Sequence, residues 1–287
     1  MKRRAVTRGL AVVLSFALVG CASAPPYVGQ GPHPQISRGH AVPPIDFLGN
    51  VFALPAKLIF WNWRLDNHDV SADTEAYLVR YIDSPETRTD ETLYSLNEYS
   101  PGRAFSRLIH NKKAAWPYRL LIGFPVTLVV EVLLPGRLFA GLLGGDMYNP
   151  FTDTVYLYSD LPSVALHEAG HSHDVNGRKR KGTYAFLRII PFVDLYQEYQ
   201  ATDEAITYLI DQQDRDQEFA AYKMLYPAYG SYVGAYIPFP GAALIPILLG
   251  HVAGRSRARE RAEYYRLVDA GQAPAGEPPA DAVPPAP

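Results

Sequence analysis

Residues 149–174 read NPFTDTVYLYSDLPSVALHEAGHSHD. Thr154 to Tyr158 is β-branched or aromatic apart from Leu157, with turn formers ahead of it, and reads as a strand. Ser159 or Asp160 can cap a following helix, Pro162 suits its first turn, and Gly177 can end it. On that helix His167 and His171 stand four residues apart. Four steps at 3.6 residues per turn return to within about 40° of the starting face, so both imidazoles can reach one ion. Glu168 lies beside the first of them, placed to take a proton from a water on that ion. The expected ion is Zn2+.

A catalytic zinc takes three protein ligands and keeps a position for water. The third is expected from a helix over Phe192 to Asp211, where helical phase separates two glutamates. Glu198 shares its face with Leu195, Ala201, Ala205 and Leu209. Glu204 shares its face with Gln197, Gln200, Thr207 and Asp211. A carboxylate on a buried face needs a strong partner, and a metal is one. Glu198 is therefore the expected third ligand, with a buried ion pair to Arg188 as the alternative. Asp174, on the same face as both histidines, is expected to accept a ligand N–H; a surface acid at a helix end is the competing reading. A donor for a developing oxyanion stays open among Tyr208, Tyr229, Tyr232 and His251.

These motifs resemble those of the gluzincin peptidases, most closely the CAAX prenyl protease and heat-shock membrane peptidase family. That family opens its second motif with a ligand glutamate in the order Glu-aromatic-x-Ala-Asp. This chain has Glu198-Tyr199-Gln200-Ala201, with Thr202 in the aspartate's place and Asp203 next. The resemblance implies a zincin-like α+β fold, mainly helical with a small sheet. It also implies zinc on His167, His171 and Glu198, with Glu168 as general base. The strand Thr154, Val155, Tyr156, Leu157, Tyr158 would be a sheet edge that pairs with an extended polypeptide substrate.

The rest of the sequence bounds location and partners. Lys2, Arg3, Arg4 and Arg8 precede the apolar run Leu10 to Val19 and then Leu18-Val19-Gly20-Cys21, which resembles a bacterial lipoprotein signal. The resemblance implies cleavage before Cys21, acylation of that lone cysteine, and a periplasmic site at the cell envelope, at the outer membrane rather than the inner. Residues 1–20 are then the signal and 21–45 a Pro/Gly-rich tether. Residues 46–268 form the metallopeptidase domain and 269–287 a disordered Pro/Ala tail. The segments 118–145 and 224–254 are apolar enough to meet membrane lipid, although prolines and glycines argue against one straight span in the second. Ser84-Pro85-Glu86 reads as a helix start. A net charge of −2 gives no basic field for nucleic acid. Two functions follow: a membrane-anchored zinc metalloendopeptidase, or an envelope lipoprotein whose zinc site is structural or degenerate and which works as a scaffold.

Overall fold

The computed structural model describes residues 33–143, 145–239 and 241–272. Residues 1–20, Cys21 and nearly all of the Pro/Ala tail therefore lie outside the described residues. The chain is mostly helical around one small sheet. In order it forms β1 (Ile36–Arg38), α1 (Pro43–Phe52), α2 (Leu54–Phe60), α3 (Ala72–Asp83), β2 (Leu93–Leu96) and α4 (Pro101–His110). Next come α5 (Trp116–Leu133), α6 (Gly136–Leu143), β3 (Met147–Asn149) and β4 (Thr154–Leu157). The last five are α7 (Pro162–Gly177), α8 (Lys181–Leu187), α9 (Val193–Asp211), α10 (Arg215–Ala235) and α11 (Leu244–Asp269).

The sheet order is β1-β2-β4-β3. The first three strands are parallel and β3 is antiparallel to β4. The expected strand forms, but it is not an edge: Thr154 to Leu157 pairs with β2 on one side, and Thr154 to Tyr156 with β3 on the other. Tyr158 follows, with its N–H donated to Asp146. A strand with both sides bonded has no free ladder for a substrate, so the outer edge beside it belongs to β3. The folded part also begins earlier than residue 46. Ile36 of β1 is buried in the main core and pairs with Tyr94, and Pro43 already opens α1. Three strand residues are too few for periodicity to reveal.

Alternation in β4 divides the sheet's two faces. Val155 and Leu157 join the main core, packed with Ala165, Leu166 and Ala169 of α7 and with Ala205, Ile206 and Leu209 of α9. Tyr156 and Tyr158 point the other way, toward Met147 and the α5–α6 pair. Helix α7 is buried from Pro162 through Ser172 on all sides, which is why its sequence shows no single apolar stripe.

Local signals explain several boundaries. Ser71 caps α3, its side chain accepting from the Thr74 N–H. Ser84-Pro85-Glu86 marks this helix's end rather than a start, since Ser84 follows Asp83 as the terminal cap. Asp160 does not cap α7. Its Oδ1 instead accepts from the Ser71 N–H at 2.9 Å, the Ser71 hydroxyl at 2.5 Å and the Thr74 hydroxyl at 2.6 Å, while Oδ2 takes Arg64. Burial opposes ionisation of Asp160, but these donors outweigh it and hold the group at about 2. A depressed carboxyl stabilises the fold above its unfolded value near 4 and loses that contribution as pH falls toward 2. Asp160→Ala is expected to cost about 2 kcal/mol at neutral pH and progressively less as the pH drops from about 4 to about 2, read by denaturant unfolding.

Helices α10 and α11 form a tight antiparallel hairpin. A Cβ at Gly254 would fall 2.2 Å from the Tyr222 carbonyl oxygen, and one at Gly230 2.3 Å from that of Pro246. The two backbones are thus in direct contact. Arg261 and Glu218, both fully buried, lock the far end at 2.5 Å, with Tyr265 donating to the second glutamate oxygen. The segment 224–254 therefore turns between two helices instead of running straight. Helix α5 is the one helix among the described residues that is long and apolar enough to cross a membrane.

Candidate metal centre

Two buried helices build the site. His167 and His171 stand one turn apart on α7, their ring centroids 4.7 Å apart and nearly perpendicular. Helix α9 crosses beside them at a point where a side chain would obstruct. A Cβ on Gly170 would lie 3.2 Å from the Ala201 carbonyl oxygen, so glycine lets the α9 backbone come close. That approach carries Glu198 and Thr202, one turn apart and flanking Ala201, to the imidazoles.

Glu198 Oε2 lies 3.0 Å from His167 Nε2 and 3.3 Å from His171 Nε2. One donor atom from each of the three residues falls within 4.8 Å of the others, and all three residues are buried. The donor set of two imidazoles and a carboxylate suits zinc. The cluster fits the ion because one shared oxygen already faces both nitrogens. Helical phase selected the right glutamate: Glu204 faces elsewhere, accepting from Tyr81 and paired with His173 at 2.7 Å.

Arg188 completes the cluster. Its guanidinium donates to Glu198 Oε1, the oxygen turned away from the histidines. The two readings of Glu198, metal ligand or partner of Arg188, are thus joined in one side chain. Burial would raise the Glu198 carboxyl, but His171, Arg188 and His167 outweigh it and hold the group well below its ordinary value. Burial pulls His171 down. His167 experiences the same burial, yet its hydrogen bond to Glu198 raises it overall.

Glu168 is buried next to this triad. Burial, opposed by His167 and reinforced by Glu198 and Asp146, pushes its carboxyl up to about 7. Tyr232 of α10 stands beside Glu198, Arg188 and Glu168, and burial holds its phenol protonated, well above its ordinary value. Tyr229 of α10 is also near enough to feel the Glu198 charge, which adds to burial in raising its phenol, while it packs against the main core. The other two candidates are engaged elsewhere: Tyr208 packs edge-on against Tyr81 in the core, and His251 bonds the Ile59 carbonyl under the Trp61 ring.

Asp174 has a different role from the one expected. It accepts from Arg178 at 3.0 Å and from the Tyr184 hydroxyl at 2.6 Å. Asp174 lies about 10 Å along the axis from His167 but only about 4.5 Å from His171; what removes it from the cluster is its engagement by Arg178 and Tyr184. The partner of His167 Nδ1 is Thr202, whose hydroxyl lies 3.3 Å away. Thr202 sits four residues after Glu198, so the spacing that selects the ligand also marks this support. Thr202→Val is expected to lower zinc affinity by roughly tenfold to a hundredfold without unfolding the protein, measured by competition with a chelating dye. A surface cavity of about 880 Å3 is lined by residues such as Glu86, Asp203 and Glu204, and no member of the triad lines it.

No family model, no curated protein and no solved structure matches this chain. A buried His/His/Glu cluster able to chelate a metal thus sits in a mainly helical α+β protein that has, among the described residues, one apolar helix of membrane length.

Proposed function

We propose that this protein is a membrane-associated zinc peptidase that hydrolyses peptide bonds of extended polypeptides at the cell envelope, tethered by lipid on Cys21. The observation that carries the reading is Glu168, a buried carboxyl adjacent to a three-donor cluster and poised near neutrality. Three protein donors suit a catalytic zinc, whereas a structural zinc takes four. Bound zinc supplies a Lewis acid for a carbonyl oxygen and makes a neighbouring water more acidic. Glu168 accepts that water's proton at its carboxylate and delivers it to the leaving amine. Arg188 holds Glu198 Oε1 and so presents Oε2 to the imidazoles. The Tyr232 phenol donates a hydrogen bond toward the charge that develops on the carbonyl oxygen.

A second reading is supported by the Arg188–Glu198 pair, which already ties the carboxylate into the protein: a scaffold lipoprotein whose zinc only steadies two helices. Incubation of the zinc-loaded full-length protein with an unfolded, fluorescently labelled polypeptide separates the two. Cleavage that stops with a chelator and returns with zinc is the expected result. Stoichiometric zinc with no cleavage would favour the scaffold.

A further inference from the structure

Four helices are built inside out. On α5 the buried stripe is Gly123, Thr127 and Glu131, while Leu120, Leu121 and Leu133 face outward, Leu121 at 72 % exposure. On the first half of α11, Ile247, His251 and Gly254 are buried, whereas Leu244, Ile245, Leu248, Leu249 and Val252 are exposed, so most of its large apolar side chains face outward. Helix α2 buries Lys57, which donates to Asn50 and the Trp63 carbonyl, and exposes Leu54 and Leu58. Helix α1 buries Gly49 and exposes Phe47 and Leu48. Water drives the opposite arrangement, because burying large apolar side chains is what stabilises a helix on a soluble core. Small and polar groups inside with large apolar groups outside is the pattern of helices whose surroundings are hydrocarbon.

These helices are neighbours. Trp61, after α2, stacks on His251 of α11 at 4.1 Å, and Phe52 of α1 stacks on Phe139 of α6. Phe192 stacks on Tyr236 at the end of α10, joining the exposed Ile189 and Ile190 to the same belt. Beyond this belt and its flanking residues, the exposed large hydrophobics among the described residues are Ile109, Tyr196, Tyr199 and Val268.

We propose that this belt is a membrane-docking face that enters the hydrocarbon of one bilayer leaflet. Lipid is the occupant favoured over a protein partner for two reasons besides the inversion. All three tryptophans of the chain, Trp61, Trp63 and Trp116, lie on the belt and are more than half exposed, and the Arg255 guanidinium sits 4.5 Å over the Trp61 ring. Indoles with cations beside them belong at the level of lipid headgroups. Cys21, the expected lipid attachment, also precedes the first described residue by only 12 positions, a reach of about 40 Å at most. At α11 the face dips into the bilayer and does not cross it. The apolar half of α11 ends at Arg255 after 11 residues, about 16 Å, against a core of about 30 Å. Ile189 and Ile190 directly follow Arg188, so docking would set the metal cluster at the bilayer surface. The proposal stands apart from the peptidase reading and holds for a purely structural metal as well.

Intrinsic fluorescence tests it, since every indole is on the belt. The full-length protein is incorporated into vesicles of phosphatidylcholine and phosphatidylglycerol at four to one, with the phosphatidylcholine brominated high on its acyl chains. Quenching of about half or more of the tryptophan emission is expected relative to unbrominated vesicles, as for indoles at the acyl boundary. The double variant Leu121→Glu, Leu249→Glu is expected to retain its circular dichroism and zinc content and to lose most of that quenching. Emission unaffected by bromine would overturn the proposal, leaving a protein held by its anchor alone and its apolar face to a protein partner. Quenching that is equal in parent and variant would overturn it too.

Discussion

Glu168→Gln is expected to leave a folded protein that binds zinc like the parent and cleaves peptide roughly 10²- to 10⁴-fold more slowly. The substitution preserves shape and can keep one hydrogen bond, but an amide cannot accept a proton from water. Glu168 is buried, and no other carboxylate of the site is free to replace it, since Glu198 is held by Arg188 and both histidines. Without metal, burial pushes the Glu168 carboxyl up to about 7; the positive charge of bound zinc would lower it and keep it ionised near neutrality, as a base must be. The comparison requires peptide cleavage and zinc content to be measured on the same preparations. Equal cleavage rates in parent and variant would remove Glu168 from the mechanism.

Glu198→Ala is expected to reduce zinc affinity by roughly a hundredfold or more, since one of three protein ligands is removed from a site whose binding energy is shared among them. It also strands Arg188 and leaves both imidazoles without their carboxylate partner. Breaking a buried ion pair on one side typically costs about 3–5 kcal/mol; the guanidinium is about one-third exposed, so the lower end is expected here. His171→Ala removes a ligand without disturbing Arg188. A large stability loss in Glu198→Ala beside a small one in His171→Ala, both without added metal, is the expected contrast by thermal melting. Equal losses would mean that the Arg188 contact contributes little.

The metal cluster was legible because each member obeys helical arithmetic. His167 and His171 share a face by their spacing, and Glu198 was separated from Glu204 by the company each keeps on α9. Helical arithmetic alone does not place Asp174, because Arg178 from the following turn and Tyr184 from α8 take its carboxylate. The same arithmetic could have found Thr202, one turn beyond Glu198. Strand Thr154 to Leu157 was legible from composition, but its place in the sheet was not. Its neighbours β2 and β3 are only four and three residues long, too short to announce themselves, and the pairing of β2 with β4 joins segments about sixty residues apart. The α1–α2 and α5 helices show their apolar content in the sequence. Only the structure shows that the apolar side faces outward.

X-ray absorption at the zinc edge, on the full-length protein loaded with zinc, tests the central claim most directly. The account predicts one zinc per chain with two imidazole nitrogens at about 2.0–2.1 Å and carboxylate and water oxygens at about 2.0–2.2 Å. It also predicts that Glu198→Ala loses one oxygen from that shell. A chain that retains no zinc, or a parent spectrum identical to that of a His167→Ala, His171→Ala variant, would contradict it.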